Sequence, residues 1–166
     1  MKDGFPSHLA ERMRHRNSIA APQGSGPVVV WLKSSFRLHE NPAIELGRHV
    51  ATEHNLPLLI YHGIDERYPH ASLRHHNMLL DAAVDMDDGC RKAGLRYALH
   101  VARDGHRPSV MKAFSQSASC IITDLCPLPP WTDWVTTIAA TAACPVFDVD
   151  CHCVIPMPLF GKSVDR

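Results

Sequence analysis

Five short apolar runs limit what this chain can fold into. They are VVVWL (28–32), LPLLIYH (56–62), LRYALHV (95–101), SCIITD (119–124) and PVFDVD (145–150). Between them lie segments with helical patterning. VVVWL is apolar throughout and rich in β-branched residues, as in a strand buried on both faces. Asn41-Pro42 then makes a helix start, with an N-cap side chain followed by proline at the first helical position, and the helix runs to about His54.

SLRHHNMLLDAAVDMDDGCRKAG (72–94) predicts a longer helix. Leu79, Ala83, Met86 and Cys90 recur on one face, and Gly94 stops it. Asp81, Asp85 and Asp88 fall on the opposite face, so the DMDD run reads as a solvated surface rather than a metal site. Residues 107–117 and 129–142 complete the helices. Strands alternating with helices require right-handed crossovers. The expected fold is a Rossmann-like α/β three-layer sandwich. Its five-stranded, mainly parallel sheet has the order 3-2-1-4-5, numbered along the chain.

Residues 1–26 differ. ERMRHRNSIAAPQGSGP is basic, rich in small residues and closed by Gly24-Ser25-Gly26-Pro27, and it reads as a flexible extension and linker. The domain proper then covers 27–158, and 159–166 begins a linker. At 166 residues the chain suits one domain, long enough to bury about 70% of its unfolded surface without a metal or disulfide. Lys+Arg and Asp+Glu are both 17. Zero net charge argues against strong nonspecific attraction to nucleic acid or anionic membrane. The six cysteines form no Cys-x-x-Cys pair, and Cys151-His152-Cys153 lacks zinc-ligand spacing. An intracellular compartment is expected, cytoplasmic or nuclear, with organelle targeting left open.

In such a sheet, ligands bind beyond the carboxyl ends of the strands where the strand order reverses. That places the crevice between KSSFRLHEN (33–41) and DLCPLPPW (124–131). Its candidate binding residues are Trp31, Lys33, Phe36, Arg37, Asn41 and Asp124. Each also has a structural reading: Trp31 as core, Arg37 as a partner of Glu40, and Asn41 and Asp124 as helix caps. No catalytic set and no metal set emerges. A glycine-rich phosphate loop is missing after the first strand, and FGKS (160–163) lacks the upstream glycine.

At these two loops the chain resembles the α/β domain of the photolyase/cryptochrome family. The residues that carry the likeness are Arg37-Leu38-His39-Glu40-Asn41-Pro42-Ala43-Ile44, after a strand ending near an aromatic. The turn Thr123-Asp124-x-x-Pro127-Leu128 and the segment Val149-Asp150-x-His152-x-x-x-Pro156 look like the class II photolyase version. The resemblance spans about residues 28–158. It departs at Glu40, where the family has Asp, and at Pro129, where the family turn has Arg.

The resemblance implies light-driven repair of cyclobutane pyrimidine dimers in DNA. It assigns this domain an antenna chromophore, a deazaflavin or methenyltetrahydrofolate, at the six residues named. FAD, electron transfer and the flipped-out lesion belong to a second, helical domain outside these 166 residues. On that basis the chain is an antenna-type fragment, not catalytic alone. Its partners are the helical FAD domain and, through the full-length protein, damaged DNA. It makes no membrane contact and is a monomer. Two other readings stay open: a stand-alone nucleotide-binding domain of the stress-protein or electron-transfer-flavoprotein type, and a non-enzymatic interaction module.

Overall fold

The computed structural model describes residues 4–22, 24–68 and 72–160. FGKS, beyond Phe160, lies outside the described residues, as does the rest of the C-terminal linker. In chain order the elements are α1 (Ser7–Ala10), β1 (Met13–His15), β2 (Val28–Leu32), α2 (Pro42–Glu53), β3 (Leu58–Asp65) and α3 (Leu73–Lys92). Then follow β4 (Arg96–Ala102), α4 (Val110–Ser117), β5 (Cys120–Asp124), α5 (Trp131–Thr141), β6 (Val146–Val149) and a 3₁₀ turn at Met157–Leu159.

One sheet runs β1-β6-β5-β2-β3-β4. Its parallel part reproduces the expected 3-2-1-4-5 order, with β2 central between β3 and β5. Every residue of β2 and β5 is buried, because helices cover both faces. One face carries Val28, Val30, Leu32, Ile60 and Ile122 against α2 and α3. The other carries Val29, Trp31, Tyr61, Ile121 and Val146 against α4 and α5. Truncating one such fully buried Ile or Leu to Ala costs about 2–5 kcal/mol. The helix over β2 sits close: a Cβ on Gly47 would stand 2.4 Å from Val30 Cγ2.

The expectation of five strands is corrected to six. The segment expected to be a flexible extension supplies β1, which pairs antiparallel with β6 in the register Met13 to Val149, Arg14 to Asp148 and His15 to Phe147. The cause is chemical. Without β1, β6 would be an open edge with unpaired backbone groups, and Asp148 would be a buried, unpaired carboxylate. Arg14 donates to both its oxygens at 2.9 and 3.0 Å, and Arg16 adds a third bond at 3.1 Å. Leu9 and Met13 are buried beneath, and Phe5 packs edge-on against Phe147. The basic residues that suggested a solvated tail are what dock it.

Candidate functional site: the carboxyl edge of the sheet

The loops after β2 and β5 meet around one carboxylate. Asp124 ends β5 with no exposed surface. Its Oδ1 accepts from the Lys33 backbone N–H at 2.9 Å and from Lys33 Nζ at 3.0 Å. Its Oδ2 accepts from the Ser34 N–H at 2.6 Å, the Ser34 hydroxyl at 2.8 Å and the Ser35 N–H at 2.7 Å. Burial opposes its charge. The Lys33 ammonium, then the Ser34 hydroxyl and the amide donors, outweigh burial and hold the carboxyl below its ordinary range.

Three successive backbone N–H groups thus form a nest for an anion, and the anion is the protein's own Asp124. An incoming phosphate would have to displace it. Lys33 is equally committed: Nζ donates to the Asp124 carbonyl at 2.5 Å and to Thr123 Oγ1, and its side chain is 2% exposed. Thr123 in turn donates to the Trp31 carbonyl at 2.6 Å. Trp31 is buried in the sheet core with the Lys33 ammonium 5.1 Å from its ring.

Asn41 is the cap of α2, accepting from Ala43 and Ile44 N–H at 3.1 and 3.3 Å. Its amide also donates to the Ser35 and Arg37 carbonyls, both at 2.9 Å, so one side chain closes the whole loop. Arg37 donates to the carbonyl of Glu40 at 3.1 Å and to the carbonyl of Cys151 at 2.5 Å, not to the Glu40 carboxylate. Phe36 is half-buried and packs on His62, with ring centroids 4.1 Å apart and the ring planes tilted by 32°. Asp124 therefore caps neither neighbouring helix, and of the six named residues Phe36 and Arg37 face the rim.

Sequence reasoning missed four residues here. Asp150 is fully buried and accepts from the N–H groups of His152, Cys153 and Met157 at 2.9, 3.0 and 2.8 Å, shaping the last loop as Asp124 shapes the first. His152 bridges the two, its Nε2 lying 3.1 Å from Ser34 Oγ and 3.0 Å from Ser35 Oγ. Both belong to the quoted Val-Asp-x-His segment, which was the available signal. His62 read as the end of an apolar run, yet it is buried against Tyr97 OH at 2.9 Å, and burial pushes its pKa down to about 4. Tyr68 follows β3 and lies 5.6 Å from the Trp131 ring and 6.4 Å from that of Trp134. The three-residue spacing of Trp131 and Trp134 puts those two rings on one helix face, and nothing in the sequence announces Tyr68 beside them.

Cys151 is buried, and that burial raises its pKa to about 12, so it remains a thiol. Among the described residues no group of three or more His, Cys, Asp or Glu side chains is arranged to hold a metal.

A family model for DNA photolyase matches residues 28–160, which takes in every loop just described. The chain belongs to the DNA photolyase family. It is 29% identical over 148 residues to a deoxyribodipyrimidine photo-lyase of Methanothermobacter thermautotrophicus, covering 89% of this chain and 33% of that protein. It is 26% identical over 132 residues to the deoxyribodipyrimidine photo-lyase of Potorous tridactylus, covering 77% of this chain and 24% of that one. The photolyase-like chain thus spans about a third and a quarter of these relatives. Among solved structures, a universal stress protein in complex with cAMP aligns with a TM-score of 0.46 at 13% identity, over 80% of this chain and 100% of that one.

Proposed function

We propose that this chain is the antenna-type α/β domain of a class II-like photolyase, serving light-driven repair of pyrimidine dimers beside a flavin-binding helical domain. The observation that carries the reading is the Asp124 cluster, which ties the β2 and β5 loops of the family segment into one rigid edge. The class II assignment rests on Thr123-Asp124-x-x-Pro127-Leu128 and Val149-Asp150-x-His152. Asp124 and Asp150, one from each segment, order the loops of that edge.

The residues fit a planar conjugated group better than a phosphate. The amide nest is filled by Asp124, whereas Tyr68, Trp131 and Trp134 offer aromatic faces, Trp134 being 41% exposed. A bound antenna would supply light absorption and energy transfer. Within the crevice, Phe36 and Arg37 would form the rim. Trp31, Lys33, Asn41 and Asp124 would hold its shape rather than touch the chromophore. Repair itself needs a lesion pocket and a basic DNA-facing surface, and is assigned to the helical domain.

Titration with a reduced deazaflavin and with methenyltetrahydrofolate, followed by near-ultraviolet and blue absorbance, tests the reading. Saturable binding that weakens at least tenfold in Trp131→Ala is expected. If neither compound binds, the antenna role fails.

A further inference from the structure

Two centres fold the loop that follows β6. The first is Asp150, whose carboxylate gathers the N–H groups of His152, Cys153 and Met157. The second comes from the other end of the chain. Arg12 Nη1 donates to the Cys153 carbonyl at 2.8 Å and to the Asp150 carbonyl at 3.4 Å, and Nη2 donates to the Val154 carbonyl at 3.4 Å. The anion takes the loop's donors, and the cation takes its acceptors. The two residues are also neighbours in the sheet. The Asp150 N–H donates to the Arg12 carbonyl at 2.9 Å, one step beyond the pairing of Met13 with Val149.

The residues after Arg12 anchor it. Arg14 and Arg16 bind Asp148, the Arg16 N–H donates to the Val146 carbonyl at 2.8 Å, and the Asn17 amide donates to the Cys144 carbonyl at 2.9 Å. The guanidinium is therefore delivered to the loop by a strap that is already tied down. On its far side the loop reaches the crevice. The Cys151 carbonyl accepts from Arg37, and His152 Nε2 meets the hydroxyls of Ser34 and Ser35. The one hydroxyl proton of Ser34 goes to Asp124, so its oxygen accepts, and His152 carries a proton on Nε2.

We propose that Arg12 is a positioning residue for the crevice. By donating to the carbonyls of the 150–154 loop it holds His152 against Ser34 and Ser35, so docking of the N-terminal strap and closure of this edge are coupled. The physical reason lies in the balance of polar groups. Asp150 satisfies only N–H groups, and a part-buried carbonyl that loses its donor must turn to water. Turning the Cys153 peptide outward moves the adjoining backbone of His152. Hydrogen bonds of 3.0 and 3.1 Å from its ring do not survive a shift of about 1 Å. What this does to a bound antenna rests on the function proposed above; what it does to the loop does not.

Amide exchange and long-range proton–nitrogen correlations of the histidine rings, recorded on the full chain, test the coupling. In Arg12→Ala, exchange at His152, Cys153 and Met157 should rise about tenfold, while residues 14–16 and β5 stay within about twofold of the parent. The His152 ring nitrogens should move to the shifts they show when Ser34→Ala and Ser35→Ala are combined, the signature of an unbridged imidazole. Arg12→Lys should restore most of both, because its ammonium still reaches the Cys153 carbonyl. Freeing the strap with Arg14→Ala and Arg16→Ala together should loosen the same loop although Arg12 is intact. Loop amides and His152 shifts that ignore Arg12→Ala overturn the proposal and leave the loop to Asp150. A freed strap beside an unchanged loop overturns it too, as does a rise in exchange spread evenly over β5, which marks general destabilisation.

Discussion

Asp124 shows what a buried charge does at the carboxyl edge of a parallel sheet. Its negative charge is met by one ammonium, one hydroxyl and three amide N–H groups, so the loop after β2 has a single low-energy path. Removing one partner leaves the other charge buried alone, which costs about 3–5 kcal/mol. Asp124→Asn should lower stability by that amount in urea denaturation. Pairing Lys33→Met with Asp124→Asn should cost less than Asp124→Asn alone, because no unpaired charge remains and the amide oxygen still accepts from the loop N–H groups. If the double variant is the weaker, the ion pair stabilises more than its desolvation penalty predicts. Glu40 is a second telling residue. It stands at φ 50°, a left-handed conformation that disfavours a long side chain. Glu40→Gly should raise stability by about 1 kcal/mol, read as a higher thermal midpoint.

Among the elements, β1 shows how a strand without apolar alternation is held. Of its three residues only Met13 is buried, and the tie comes from Arg14 and Arg16 on the single carboxylate of Asp148. Replacing both arginines with Ala should release the strand. Amide exchange at residues 13–16 would then rise by at least tenfold, while β2 and β5 remain protected. Unchanged exchange would mean that backbone pairing alone holds β1. The same element marks the limit of sequence reading. β2 through β6 and the four longer helices announce themselves by β-branched runs, a cap and an apolar stripe. β1 is three residues of mixed character, and it forms because β6 offers an edge and Asp148 needs cations.

For the whole molecule, acid is the informative stress. His62 titrates near 4 when folded and near 6.5 when exposed, so between those values the unfolded chain binds a proton that the native one does not. Stability should therefore fall as pH drops from about 6.5 to about 4, by about 3 kcal/mol in all. Asp124 and Asp150 have depressed folded pKa values, so their stabilisation holds above the ordinary carboxylate range and is lost as pH falls below it, through their folded pKa values. Urea midpoints at pH 7, 5.5 and 4.5 should decline, and His62→Phe should remove most of that decline without abolishing the loss at lower pH. A His62→Phe curve parallel to the parent would assign the first stage to another group.

Strand order, helix positions, the Asn41 cap and the meeting of the loops after β2 and β5 were all legible in the chain, because each depends on local periodicity, a short-range steric rule or the order of the strands. The roles of the side chains in those loops were not. Sequence put Lys33, Asn41 and Asp124 in one region as candidate ligands, and the fold turned Lys33 and Asp124 towards one another and Asn41 onto its own loop, leaving Phe36 and Arg37 at the rim. His62 and Tyr68 had no local signal, since Tyr97 stands 35 residues from the one, and Trp131 and Trp134 stand 63 and 66 residues from the other. Local order along a chain determines which elements form. Which buried charge finds which donor is decided only when the sheet brings distant loops together and excludes water from between them.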